Sequence, residues 1–298
     1  MQGFNPTITL NNGVTMPAVG LGVYRSRPED TGGAINAALA AGYRMIDTAA
    51  AYRNETEVGE AVRASNIARD DIFIQTKLWI SDYSYDGAMH GFERSMRKLG
   101  FDHVDLYLLH QPAPAEFDRT VGAYKAAEKL LSEGRIRAIG ISNFSPAHIE
   151  RLMAETDIVP AVNQVELHPF FTQKPLIDFH KKHDIVTQAW SPIGGVQRYW
   201  REDAKPEEDP LTHPVIAALA EKYSKTPAQI ILRWQLDLGI SIIPKSTQNA
   251  RIIENFDIFD FTLTADEIAA IDALDTGKRG GPDPEHSDRK AFPFVIED

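Results

Sequence analysis

The 298 residues are 43% apolar and include 14 Phe, 9 Tyr and 4 Trp, enough for one large domain with a sizeable core and too many for general disorder. The 31 Lys and Arg against 42 Asp and Glu leave a net charge of −11, which argues against nucleic acid as the main partner, since phosphate binding needs a basic face. With no cysteine, disulfides, thiolate nucleophiles and Cys-ligated zinc or iron–sulfur sites are excluded.

The opening stretch MQGFNPTITLNNG has neither a basic nor an apolar leader region, and no apolar run approaches the ~20 residues of a membrane span, so a soluble cytoplasmic protein is expected. Asn12-Gly13 predicts a tight hairpin turn between two short strands. Eight β-type runs then follow, at 17–22 (the weakest), 44–48, 72–77, 104–109, 136–141, 161–165, 185–190 and 240–243. Helical patterns lie between them. Ser145-Pro146 predicts a helix start, and Thr226 with Gln229 and Thr264 with Glu267 carry capping-box spacing. Gly42 and Gly100 follow helical runs as stop residues.

Strands alternating with helices imply parallel strands and right-handed crossovers, and eight such units total ~250 residues, the usual size of a closed (β/α)8 TIM barrel. The expected architecture is therefore one α/β barrel domain over 1–298, with an N-terminal β-hairpin, a long loop at 193–211 and a tail at 276–298. A doubly wound open sheet is the runner-up, but GLGVYR lacks the third glycine of its fingerprint. In a barrel the chemistry sits at the carboxyl ends of the strands. Those ends carry Asp47, Lys77, His110, Ser142, Asn143, Gln164, Trp190, Lys245 and Ser246. Burying polar groups there is costly unless they are paired or used.

Asp47, Lys77, His110 and the nearby Tyr52 form a chemically coherent group. An ammonium beside a phenol favours phenolate and should lower its pKa, making Tyr52 an acid able to protonate a carbonyl oxygen as hydride reaches carbon. Asp47 would hold the lysine, and His110 would orient the carbonyl. Taken singly, Tyr52 also reads as a loop aromatic and His110 as a core histidine.

The runs GYRMIDTAAAYRNE (42–55), DLYLLHQP (105–112), GISNF (140–144), NQVELHP (163–169) and IPKSTQNARIIEN (243–255) resemble, in order and spacing, the blocks of the aldo-keto reductases, with a GPDP tail like the bacterial 2,5-diketo-gluconate reductase branch. The resemblance implies Tyr52 as general acid with Asp47, Lys77 and His110 as its partners. It also implies an NADPH cofactor. Ser142, Asn143 and Gln164 would hold the nicotinamide carboxamide, Trp190 would stack on the ring, and Ser191 would lie on the pyrophosphate side. Lys245, Ser246 and Arg251 would take the 2′-phosphate, and Glu254 and Asn255 the adenine. A Lys and an Arg beside a hydroxyl also suit a phosphate on charge grounds alone. Tyr24 and Trp79 match substrate-pocket aromatics. Gln111 stands where many members have Trp, which predicts a more polar pocket.

The expected reaction is NADPH-dependent reduction of aldehydes or ketones, such as polar carbonyls, dicarbonyls or keto-sugars, by a monomer with no metal, membrane or nucleic-acid partner. A non-catalytic nucleotide-sensing accessory protein of the same fold remains the alternative. A sugar-phosphate isomerase would not explain Arg251, Glu254 and Asn255. His180 and His183 read as a solvated helix face rather than a metal site.

Overall fold

The computed structural model describes residues 5–195 and 209–297; of the expected loop at 193–211, residues 196–208 lie outside the described part. Strands β1 (Thr7–Thr9) and β2 (Thr15–Pro17) form an antiparallel hairpin pairing Ile8 with Met16. Its connection is tight, as Asn12-Gly13 leads one to expect: Gly13 N donates to the Leu10 carbonyl at 2.9 Å and Leu10 N to the Val14 carbonyl at 2.8 Å. Leu10 is drawn into the barrel interior, and Asn12 Nδ2 donates to the Arg137 carbonyl at 2.8 Å, so the turn is shaped by what it packs on. Gly13 supplies the left-handed residue, with φ 86°.

The barrel follows as β3 (Leu21–Gly22), α1 (Pro28–Ala41), β4 (Met45–Asp47), α2 (Glu55–Ala64), β5 (Phe73–Leu78), α3 (Tyr85–Leu99), β6 (Val104–Leu109) and α4 (Phe117–Ser132). It continues as β7 (Ile136–Ser142), α5 (Pro146–Glu155), β8 (Val162–Glu166), α6 (Lys174–Lys182) and β9 (Val186–Trp190). Helices α7 (Pro214–Tyr223) and α8 (Pro227–Asp237), β10 (Ser241–Ile242), α9 (Asn249–Phe256) and α10 (Ala265–Asp272) complete it. Strands β3 to β10 pair in chain order, all parallel. Parallel bridges Val19–Ile242 and Gly22–Lys245 join the first strand to the last and close the barrel.

Each of the eight expected runs holds an observed strand, and the weakest, 17–22, is the least regular. Its neighbours are bonded through Gly20 N to Ile242 O (2.9 Å) and Gly22 N to Pro244 O (3.1 Å). The capping boxes at Thr226 and Thr264 form, and at the helix start of Ser145-Pro146 the Ser145 N–H donates to His148 Nδ1 at 3.2 Å. Gly42 and Gly100 take left-handed conformations at the ends of α1 and α3.

Because side chains alternate along a strand, the chain builds two apolar layers. Ile46, Ile74, Tyr107 and Ile139 face the helices and pack with Ile35, Phe92, Tyr124 and Ile149. Met45, Phe73, Leu106, Leu108 and Ala138 face inward and meet Leu10 and Met16 of the hairpin, which plugs the N-terminal end. Further along the same inward files come Gln75 and Lys77 on β5 and Asp47 on β4. The apolar plug below therefore sets polar side chains at the carboxyl ends above. One expectation fails in this layer. His180 is fully buried, not on a solvated face: its ring nitrogens meet Asn163 Nδ2 (2.9 Å) and Thr187 Oγ1 (2.8 Å). Burial pushes it down to about 4, so it is a neutral hydrogen-bonding spacer between α6 and the sheet.

Candidate active site

A cavity of about 310 Å³ opens at the carboxyl end of the barrel. Its wall includes Asp47, Tyr52, His110, Ser142, Asn143, Gln164, Trp190, Ser191 and Lys245, together with Tyr24, Trp79 and Gln111. Ser246, Arg251, Glu254 and Asn255 lie beyond this wall, in or just before α9. Arg251 is exposed there, whereas Asn255 is buried and Glu254 accepts from Thr226 Oγ1 at 2.8 Å. Lys77 is wholly buried beneath the cavity.

Lys77 Nζ donates to Asp47 Oδ1 at 2.5 Å, to the Thr48 carbonyl at 2.9 Å and to Tyr52 Oη at 3.2 Å. An ammonium has three hydrogens, and all three are engaged. Since Tyr52 Oη accepts from Lys77, its own hydrogen is left to donate elsewhere. Tyr52 ends a short turn, Ala50–Tyr52, that Asn54 fixes. Asn54 accepts from Thr48 Oγ1 (2.8 Å) and donates to the Val23 (2.9 Å) and Ser26 (3.3 Å) carbonyls.

The expected lowering of the phenol pKa does not occur. Burial pushes Tyr52 well above its ordinary value, and the Asp47 charge adds to this. Burial also lowers the Lys77 ammonium, opposed by Asp47 and by the buried carboxyl of Glu55. His110 falls well below its usual value through burial and the Lys77 charge, so it is a neutral imidazole. Its ring lies edge-on to Tyr52 (5.6 Å) and to Trp79 (5.1 Å).

On the far wall, Ser142 Oγ donates to the Gln164 carbonyl at 2.8 Å. Asn143, at φ 67°, donates to the His110 carbonyl at 3.1 Å and accepts from Trp190 Nε1 at 2.8 Å. An indole at 190 is thus anchored through its N–H. Below them runs a buried amide layer. Asp47 Oδ1 also accepts from Gln75 Nε2 (2.7 Å) and Gln164 Nε2 (2.9 Å), and both amides donate to Gln188 Oε1, at 2.8 and 2.7 Å. At the opposite rim burial lowers Lys245, and the nearby positive charge of Arg25 lowers it further, while Asp30 opposes. This local excess of positive charge in a chain of net −11 fits an anionic ligand such as a dinucleotide phosphate.

The sequence marks the tail at 276–298 as a segment that would carry substrate specificity but singles out none of its residues. Pro282, Phe292 and Phe294 line the cavity; Phe294 stacks on Trp79 at 4.6 Å, and its carbonyl accepts from Trp79 Nε1 at 3.2 Å. The tail is pinned by Glu166, a buried carboxylate at the end of β8 that accepts from Gly280 N (2.7 Å), Gly281 N (2.9 Å) and His168 Nε2 (3.1 Å). A Cβ on Gly281 would lie 2.6 Å from Trp190 Cη2, so only glycine fits against the indole. Glu166 carries the same strand-end signal as its neighbours. Phe292-Pro-Phe294 offers only an aromatic pair in a polar segment. Gln111 lines the cavity, but the two phenylalanines make its wall more apolar than Gln111 alone predicts. Tyr83 Oη donates to the Gln111 carbonyl (2.7 Å) and accepts from its N–H (3.1 Å), which fixes the backbone after His110. Among the described residues no cluster of three His, Asp or Glu side chains is placed to hold a metal, and no helix is long and apolar enough to cross a membrane.

Residues 18–276 match the Aldo/keto reductase family. Morphine 6-dehydrogenase of Pseudomonas putida is 48% identical over 98% of this chain and 99% of its own. Methylglyoxal reductase of Yersinia pestis is 46% identical, covering 94% of this chain and 96% of its own. The crystal structure of a Bombyx mori aldo-keto reductase in complex with NADP superposes with a TM-score of 0.86 at 37% identity, over 96% of this chain and 97% of that one. With the barrel and the polar strand ends in place, these matches establish that the chain belongs to the aldo/keto reductase family.

Proposed function

We propose that this oxidoreductase reduces aldehydes and ketones to alcohols with NADPH, Tyr52 giving the proton. The observation that carries the proposal is the three-bond tether of Lys77, which leaves the Tyr52 hydrogen as the one available for donation. When bound, NADPH supplies the hydride that reaches the carbonyl carbon. Tyr52 then passes its proton to the carbonyl oxygen. The high proton affinity of the buried phenol keeps that proton in place until oxygen becomes basic. As it leaves, the ammonium 3.2 Å away offsets the charge developing on Tyr52 Oη. Neutral His110 offers an N–H to the same oxygen without adding a cation. Lys245, Ser246 and Arg251 would receive the 2′-phosphate, Glu254 and Asn255 the adenine, Ser142, Asn143 and Gln164 the carboxamide, and Ser191 the pyrophosphate side.

The substrate pocket joins Tyr24, Trp79, Phe292 and Phe294 to one amide, Gln111. We read this as a site for carbonyls with an apolar body and a polar group beside the reacting carbon. Two of the relatives are named for morphine and for methylglyoxal, a large apolar body and a small dicarbonyl, which supports this reading. Tyr52→Phe keeps the ring and removes the proton. It should lower carbonyl reduction by roughly 10²–10⁴-fold while NADPH still binds, measured by turnover and by titration of protein fluorescence. Full activity in that variant would remove Tyr52 from the mechanism.

A further inference from the structure

Asp47 Oδ1 belongs to a carboxylate and can only accept hydrogen bonds, so the amides around it have no freedom of orientation. Gln164 must turn Nε2 toward Asp47, at 2.9 Å, and its second N–H goes to Gln188 Oε1 at 2.7 Å. Gln75 is bound the same way, with Nε2 on Asp47 (2.7 Å) and on Gln188 Oε1 (2.8 Å). Gln188 returns its own Nε2 to Gln75 Oε1 (3.2 Å) and to Ser241 Oγ (3.1 Å), with the sulfurs of Met16 and Met45 at 3.9 and 3.8 Å. All six amide hydrogens are thus accounted for within the barrel. The polar atom that Gln164 still has for the cavity it lines is Oε1, an acceptor. Reversing the amide would set Oε1 against the Asp47 carboxylate and the Gln188 carbonyl together, two repulsive contacts in a region with no exposed residue.

We propose that Gln188, oriented by Gln75, is a positioning residue for cofactor recognition: it locks Gln164 with its acceptor outward, so the site selects a nicotinamide bearing an N–H donor. The proposal rests on the placement of Gln164 at the carboxamide. Asp47 alone would hold one N–H of Gln164; the second is held by Gln188. Without the Gln188 carbonyl that second hydrogen lacks an acceptor, and the terminal amide torsion is soft. A modest turn then presents N–H to the cavity, and the acceptor-only character of the site is lost.

The test compares binding of NADP+ with its 3-acetylpyridine analogue, in which a methyl ketone replaces the carboxamide and the N–H donor is gone. Titration calorimetry on the full-length protein gives both affinities without turnover. The wild type should prefer NADP+ by roughly two- to tenfold, the span of one neutral hydrogen bond. Gln188→Met, close in volume and set beside Met16 and Met45, should bring the ratio toward one. Gln188→Glu, which keeps an acceptor facing Gln164, should restore it. Gln75→Met strips Gln188 of its reciprocal partner and should reduce the ratio less; it carries the test if thermal melts show that Gln188→Met does not fold. A wild type with no preference would overturn the placement of Gln164 itself. A wild-type preference that survives unchanged in folded Gln188→Met, or in Gln75→Met where that variant carries the test, would overturn the positioning role alone.

Discussion

At the level of single residues, burial favours the uncharged form of each titrating group in the site. Burial raises Tyr52 and lowers Lys77 and His110, so in the neutral range the phenol keeps its proton and the imidazole carries no charge. Reduction should therefore be flat across the ordinary histidine range. It should decline on the alkaline side, below the usual lysine value of 10.5, as the Lys77 ammonium is lost. Lys77→Met should abolish that alkaline limb and lower kcat about as far as Tyr52→Phe, because the phenolate then has no counter-charge; a pH profile of kcat/KM checks both points. An inflection near pH 6.5 that disappears in His110→Ala would show the imidazole to be charged after all. Farther out, Arg251 is exposed and placed in the first turn of α9. Arg251→Ala should weaken NADPH by about 1.5–3 kcal/mol and leave NADH nearly untouched, since only NADPH carries the extra phosphate. Equal losses would make Arg251 a structural residue.

Among the elements, the tail should matter most for substrate choice on the proposed function. It reaches the cavity through Phe292 and Phe294 and is tied down at Glu166, at Trp79 and at Glu116, which pairs with Arg289. Phe294→Ala should lower kcat/KM for carbonyls with a bulky apolar body severalfold and spare small dicarbonyls, because it deletes a wall and not the reacting groups. A uniform loss for both substrate types would mean that the tail only shields the site. The strands themselves are legible in the chain: parallel strands buried on both faces read as short continuous apolar runs, as at 104–109 and 136–141. The polar ends of those runs give away Asp47, Lys77 and His110. Phe294 and the Gln188 layer are not legible in this way, and Glu166 shows as a polar strand end whose partners in the tail do not. Their roles come from contacts between segments more than a hundred residues apart, such as Gln75 with Gln188 or Glu166 with Gly281, which no local pattern encodes. The burial of His180 escapes the sequence for the same reason, since its partners Asn163 and Thr187 lie on other elements.

For the whole molecule, closing the sheet is what assembles the chemistry. Asp47, Lys77, His110, Ser142, Gln164 and Trp190 stand on or just past six successive strands, and Lys245 follows the strand that bridges back to Gly22. No fragment of the chain contains the site. The tether of Lys77 has a further meaning when the substrate is considered as an electrophile. Free amines condense with aldehydes to imines, and thiols add to them, so a protein that handles such compounds is exposed to modification by its own substrate. This chain has no thiol anywhere. Its buried Lys77 lies beneath the cavity with every hydrogen held by Asp47, Thr48 or Tyr52, and a protonated amine has no lone pair to attack with. On the proposed mechanism, the geometry that serves proton transfer would also suppress a competing covalent reaction. Incubation with a small dicarbonyl followed by borohydride, read out by peptide mass mapping, should mark half-exposed lysines such as Lys129 and leave Lys77 unmodified. Adduct on Lys77 in the wild type would show that the tether opens during turnover.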